Sequence, residues 1–252
     1  KIAHALCDVW LICDDFLLCA MPCVFDFVIG NPPYVRQERI PVALLAEYRQ
    51  RYRTLYDRAD LYIPFYERAL DLLAPVGRLG FICANRWLKN RYGGPLREKV
   101  SNGHWLKYFI DMERVDAFHT DVIAYPAITI FQRTGEEDPA SLDTRAVNGQ
   151  AAITHPLQKI VHALLETSKK SSMVEEIALE RFSSAPLLLD DIPRLALLRR
   201  IEQMYPNLED AGCRVGIGVA TGCDRVYIGE LESLPVESER KLPLVMAHDL
   251  VD

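Results

Sequence analysis

The chain has 252 residues, half of them hydrophobic and a quarter charged, and its 29 basic and 35 acidic side chains leave a net charge of −6. Such a composition belongs to a soluble globular protein of one large domain, or of one domain and part of another. No apolar run approaches the roughly 18–20 residues of a membrane span, and Lys1 to Trp10 lacks the pattern of a signal peptide. Cysteines at 7, 13, 19, 23, 83, 213 and 223 form no C-x-x-C pair. They read as reduced, structural residues of a cytoplasmic protein rather than as metal ligands. The acidic balance argues against a nucleic-acid partner, but its distribution argues for one. From Arg36 to Arg114 there are 15 Lys+Arg against 9 Asp+Glu, while the remainder holds 14 against 26. A basic block of this kind suits a phosphate-facing side; a solvated face on ordinary helices is the other reading.

In chain order, Val9 to Cys13 reads as a buried strand of a parallel sheet. Asp14-Asp15-Phe16 follows, placing a carboxylate and an aromatic ring at a strand's carboxyl end, where they suit a nucleoside. A turn-forming Asp before a core Phe gives the same pattern. Phe25 to Ile29 is a second short strand, stopped at Gly30 by Asn31-Pro32-Pro33-Tyr34. Each proline fixes φ near −65° and lacks an N–H, and Pro33 pushes Pro32 out of the helical region. The product is a stiff loop with outward carbonyls. The amide oxygen of Asn31 and a neighbouring backbone carbonyl can accept both hydrogens of an exocyclic amine, and Tyr34 offers a flat face to a planar ring. In open α/β sheets such pockets lie beyond the carboxyl ends of the strands.

Arg36 to Arg58 is rich in Arg and Tyr, with Tyr48, Tyr52 and Tyr56 on one helical stripe that either touches a nucleic-acid backbone or packs. Asp60 to Ala74 is an amphipathic helix, with Leu61, Phe65, Ala69 and Leu72-Leu73 at helical spacing as a mostly core stripe and Pro64 in its first turn. Pro75-Val76-Gly77 reads as a turn, Arg78 to Ala84 as a buried strand, and Asn85 to Leu88 and Tyr92 to Arg97 as a loop feeding a helix. Trp105 to Met112 and Tyr125 to Arg133 are β-rich runs, with Phe118-His119 in the loop between them. Gly135 to Gln150 is a linker by composition, and Ala151 to Lys170 is helical. Ile192 to Met204 reads as an amphipathic helix with Leu195, Leu198 and Ile201 inward. Across Val215 to Tyr227 a G-x-G occurs without a following helical pattern, and the Val, Ile and Tyr residues read as short strands.

Asn31-Pro32-Pro33-Tyr34 resembles motif IV of the amino-group methyltransferases that use S-adenosylmethionine. The longer run Asn-Pro-Pro-Tyr-Val-Arg-Gln-Glu (31–38) resembles the gamma-class adenine-N6 DNA methyltransferases of type IIG restriction–modification and BREX-like systems. The implied fold is α/β, the C-terminal part of a Rossmann-like methyltransferase sheet, followed by the start of a second, mostly β domain. The Asp-Phe-Leu-Leu run is similar to motif III, which implies Asp15 and Phe16 as cofactor contacts, with Asp14 as the off-by-one alternative. Leu61 and Phe65 occupy the positions of motif V, flanking the cofactor adenine, and 78–97 resembles motifs VI and VII, which support the pocket floor. The two β-rich runs suit the antiparallel pair that closes the edge of such a sheet. Motif VIII implies Phe118 as an aromatic edge-on to the flipped base, and His119 is read as a surface histidine. Residues 215–224 resemble the opening of the TaqI-like target-recognition domain.

What the resemblance implies is a catalytic domain at 1–134, a linker or helical insertion at 135–180 and the start of a specificity domain at 181–252. The resemblance also implies double-stranded DNA as substrate and S-adenosylmethionine as cofactor, with no metal expected. Asn31, Pro32 and Tyr34 carry the chemistry: two oxygens take the amine hydrogens of a flipped-out adenine while Tyr34 stacks on it. The stretch Lys1 to Asp15 has no glycine, so the chain is expected to begin after motifs I and II and not to bind the cofactor on its own. Three alternatives stand beside this reading. They are a glutamine methyltransferase acting on release factors, an RNA adenine methyltransferase, and a non-catalytic DNA-binding subunit of a defence complex.

Overall fold

The computed structural model describes residues 11–21, 23–112, 126–135, 143–147, 149–166, 171–178, 184–187, 189, 192–214, 216 and 221–245. They divide into two compact units, 1–200 and 201–252. The first is built on a six-stranded mixed sheet in the order β1-β2-β4-β3-β5-β6, comprising β1 (Phe25–Gly30), β2 (Leu73–Ala84), β3 (His104–Asp111), β4 (Pro126–Arg133), β5 (Asp143–Val147) and β6 (Glu175–Ala178). β1 lies parallel to β2, and the link between them carries α1 (Val42–Arg51) and α2 (Tyr62–Asp71). β4 is inserted antiparallel between β2 and β3, β5 runs parallel to β3, and β6 closes antiparallel to β5. Because β1 and β2 point the same way, the loops after Gly30 and after Ala84 emerge side by side. That places Asn31 and Asn85 at one end of the sheet.

Helix α2 holds the core together. Tyr62, Ile63, Tyr66, Ala69 and Leu70 recur at helical spacing and are all buried; Pro64 sits in the first turn, where its missing N–H leaves no bond unmade. Tyr66 is the hub, with ring centroids 4.9 Å from Phe81, 5.6 Å from Trp87 and 6.1 Å from Phe131. Its hydroxyl meets Thr129 Oγ1 at 2.8 Å, so a tyrosine can be buried here without a stranded polar atom. After β2, α3 (Gly94–Ser101) buries Leu96 and Val100. α4 (Gly149–Thr154) and α5 (Leu157–Leu165) follow β5, and Ile160 and Leu164 close a smaller cluster with Ile110 and Val147.

Several sequence expectations need correction. Leu11 to Cys13 lie in no strand, and Leu11 and Ile12 are 70% and 62% exposed; Val9 and Trp10 lie outside the described residues. Pro75 to Gly77 do not form a separate turn but continue β2 as an irregularity, with Val76 at φ +57° and a register shift opposite Phe25–Phe27. The β3–β4 pair is interior rather than at the edge, since β5 and β6 extend the sheet beyond it. Residues 143–147 are therefore strand rather than linker. Arg145 is buried there, its guanidinium donating to the carbonyls of Ala163, Leu164 and Glu166 at the end of α5. Residues Ile192–Met204 are helical (α6), but Leu198 and Ile201 face solvent rather than inward. In the second unit, Asp224–Tyr227 is a helical turn (α7), and no strand occurs among its described residues, against the mostly β expectation for this part. Most of the G-x-G stretch, residues 215 and 217–220, lies outside the described residues.

Candidate active site

The loop after β1 presents Asn31 exposed and Tyr34 partly buried, with Pro32 buried between them. The loop is tied down one residue further on, where the Leu61 N–H donates to the Val35 carbonyl at 2.9 Å. This bond joins the start of α2 to the diproline corner. The Tyr34 ring lies 6.4 Å from that of Tyr62, and its hydroxyl sits against the buried Cys83 thiol. Burial raises both groups: the Tyr34 phenol stays neutral, and the thiol is pushed up to about 12, against the opposing pull of its bonds to the Ala84 backbone and Tyr34. Tyr34 is thus a rigid plate standing on the sheet.

Asp15 and Phe16 lie in a turn in which the Leu18 and Cys19 amides donate to the Asp15 carbonyl. The Asp15 carboxylate accepts the Leu17 amide at 2.8 Å on one oxygen and the Tyr48 hydroxyl at 2.5 Å on the other. The Tyr52 hydroxyl donates to the Leu17 carbonyl at 2.5 Å. Tyr48 and Tyr52 therefore pack; they are not free to touch a nucleic acid. Phe16 stacks on Phe65 with centroids 5.2 Å apart, and the Arg68 guanidinium stands 5.7 Å from the Phe16 centroid. Leu61 and Phe65, four residues apart, share one helix face and are only partly buried. Apolar surface beside an acidic acceptor is what an adenine ring with an amine edge asks for, and each carboxylate oxygen keeps a second lone pair. Of the predicted site residues, Asn31, Pro32, Tyr34 and Leu61 are brought together, as are Asp15, Phe16 and Phe65. Phe118 and His119 lie outside the described residues.

Other residues support this site without having been singled out in the sequence. Gln37, almost fully buried, donates to the Asp57 carbonyl at 2.7 Å and accepts from Arg49 at 2.7 Å. It fixes a corner where Asp57 takes φ +53°. Asp60 is partly buried, and its carboxyl is raised by that burial against the opposing pull of Arg36 and Arg86. The Tyr62 and Tyr92 hydroxyls meet at 3.0 Å, bonding α2 to the loop after β2. Arg97 is 1% exposed and lies on the same α3 stripe as Leu96 and Val100, which was the available sequence signal for its burial. At the opposite end of the sheet, Arg53, Glu67, Lys99, His104 and Arg133 line a polar cavity of about 660 Å³ that holds none of the predicted site residues.

Residues 18–118 match the family described as Eco57I restriction-modification methylase. The chain is 51% identical over 250 residues to the type II methyltransferase M.XhoI of Xanthomonas vasicola, covering 98% of this chain and 45% of that protein. Against the type II methyltransferase M.PaeR7I of Pseudomonas aeruginosa it is 51% identical over 259 residues, covering 99% and 43%. Over nearly its whole length the chain is similar to type II restriction–modification methyltransferases. It spans under half the length of the relatives it matches. In structure it resembles a modification subunit of a putative type I restriction enzyme from Vibrio vulnificus, with a TM-score of 0.50 and 12% identity over 73% of this chain and 41% of that one. At that identity the likeness speaks for the mixed α/β fold alone. The methyl donor of such methyltransferases is S-adenosylmethionine.

Proposed function

We propose that this chain carries the target-base side of a site that moves a methyl group from S-adenosylmethionine to the N6 amine of an adenine in double-stranded DNA, within a restriction–modification system. The observation that carries the reading is the exposed Asn31 amide on a diproline corner, beside the Tyr34 ring and pinned to α2 through Val35 and Leu61.

The adenine amine inside a duplex is out of reach, so the base must be flipped out at a cost of a few kcal/mol. Stacking on Tyr34, about 1–3 kcal/mol per base, offsets that cost. In this reading Phe118 supplies a second aromatic contact. The Asn31 side-chain oxygen and the Pro32 carbonyl accept the two amine hydrogens and draw the nitrogen toward tetrahedral geometry, freeing its lone pair. When bound, S-adenosylmethionine would supply an electrophilic methyl on its sulfonium, which the freed lone pair would take as the neutral thioether leaves and the extra amine proton goes to solvent. Asp15, Phe16, Leu61 and Phe65 receive the donor's adenine. Orientation and fixed dipoles supply the rate gain, without a covalent intermediate.

The test is methyl transfer onto duplex DNA by the full-length protein, wild type against Asn31→Ala. Turnover is expected to vanish with DNA binding retained; unchanged turnover removes Asn31 from the chemistry. Tyr34→Ala is expected to weaken capture of the target base, read by the fluorescence of 2-aminopurine at the target position, more than it weakens S-adenosylmethionine binding. The reverse order reassigns Tyr34 to the cofactor side.

A further inference from the structure

Arg97 is a buried arginine whose partners are carbonyl oxygens rather than a carboxylate. Its Nε and Nη2 both donate to the Ser184 carbonyl, at 3.1 and 2.6 Å. Its Nη1 donates to the Asn90 carbonyl at 2.9 Å and to the Trp87 carbonyl. Burying a charge is costly unless its hydrogen bonds are satisfied, and here the planar fork reaches two separate pieces of backbone at once. One is the pair of tight turns at Arg86–Leu88 and Arg91–Gly93, between the carboxyl end of β2 and α3; the other is a strap 87 residues away in sequence. The strap is held at a second point, the Leu187 amide donating to the Leu88 carbonyl at 2.7 Å. Space around the clamp is fully used. A Cβ on Gly93 would come within 1.9 Å of the Trp87 carbonyl oxygen and 2.8 Å of Arg97 Nη1.

The clamped turns carry Tyr92, whose hydroxyl meets that of Tyr62, and the Tyr62 ring lies against Tyr34. We propose that Arg97 is a positioning residue for methyl transfer: by locking the Ser184–Leu187 strap onto the Trp87–Asn90 turns, it holds Tyr92 against Tyr62 and so fixes the floor beneath the target base. This role rests on the adenine-methylation reading above. Lysine keeps the charge but gathers its three N–H on one nitrogen, without the planar fork that spans Ser184 on one side and Trp87 and Asn90 on the other, so charge alone is not equivalent to the fork.

The experiment compares wild type, Arg97→Lys, Gly93→Ala and Tyr92→Phe, each in the full-length protein, in steady-state methylation of duplex DNA, in S-adenosylmethionine titration and in amide hydrogen exchange. In Arg97→Lys the Leu187 amide is expected to lose protection. The kcat should fall by about ten- to a hundredfold, as when a reacting group is displaced by ~1 Å, while the S-adenosylmethionine dissociation constant stays within about twofold. Gly93→Ala should reproduce the pattern, and Tyr92→Phe should shift kcat the same way by less. Overturning results are an unchanged kcat in Arg97→Lys, or cofactor affinity falling in step with kcat and melting temperature. Should Arg97→Lys fail to fold, an unchanged kcat in Tyr92→Phe is enough to overturn the role. A wild type that methylates no DNA removes the functional reading and the positioning role with it, whereas intact Leu187 protection in Arg97→Lys refutes the clamp separately.

Discussion

Replacing Tyr52 by phenylalanine isolates one hydroxyl. The ring is almost wholly buried, and Tyr52→Phe keeps its packing while removing the O–H that donates to the Leu17 carbonyl. Leu17 itself has no exposed surface, so water cannot replace the lost donor without opening the turn. An unsatisfied buried acceptor costs about 1–3 kcal/mol, a sizeable part of the ~5–15 kcal/mol that stabilises a typical domain. In urea titration, a loss near ~2 kcal/mol at an unchanged slope of ~2 kcal/mol per molar moves the midpoint down by about 1 M. The same turn carries Asp15 and Phe16, so the S-adenosylmethionine affinity of the full-length protein should fall alongside. A midpoint shift below about 0.25 M with unaltered cofactor affinity refutes the claim that Tyr52 holds this turn in place.

Phe65→Ala removes the partner of Phe16, and loss of an aromatic pair worth about 0.5–1.5 kcal/mol beyond its area should weaken S-adenosylmethionine binding to the full-length protein up to tenfold in calorimetry, with DNA affinity unchanged. His104 is held below its ordinary 6.5 mainly by burial. In the window from about 6.5 down to that lowered value the unfolded chain binds the extra proton and the folded chain does not, so stability falls as pH falls. His104→Gln should flatten that slope in thermal melts at pH 5 to 7; an unaltered slope shows that His104 is not the group responsible.

The parts of this molecule that were legible in the sequence are those written in local pattern. Phe25 to Ile29 ending in Gly30-Asn31-Pro32-Pro33 announces a strand and a rigid corner. The helix after Asp60 is legible too, but its stripe Leu61, Phe65, Ala69 and Leu72-Leu73 is not the core face. Leu61 and Phe65 are only partly buried, Ile63, Tyr66 and Leu70 are buried along with Ala69, and Leu73 already begins β2. Leu11 to Cys13 misled because an apolar run records what prefers burial, not whether another strand pairs with it. The supporting shell escaped for another reason. The Tyr48–Asp15 and Tyr52–Leu17 bonds span 33 and 35 residues, and Arg97–Ser184 spans 87. No local periodicity encodes such pairings, and a tyrosine stripe among arginines looks the same whether it grips a neighbouring loop or a phosphate. Residues 143–147 misled by composition, since the strand there is short and stitched in by Thr144, whose hydroxyl donates to the Leu106 carbonyl at 2.6 Å.

Strand β1 also has a bearing on how the chain behaves in a tube. Its alternate residues Phe27 and Ile29 are 67% and 85% exposed, and among the described residues its backbone pairs only with β2. Asp26, on the opposite face, is the strand's one charge. A sticky ribbon with a single repelling group is a template for lateral growth from molecule to molecule. Concentrated samples of this chain should thus scatter light increasingly with time and with added sulfate, which strengthens apolar association, and handling conditions will govern yield as much as fold stability does.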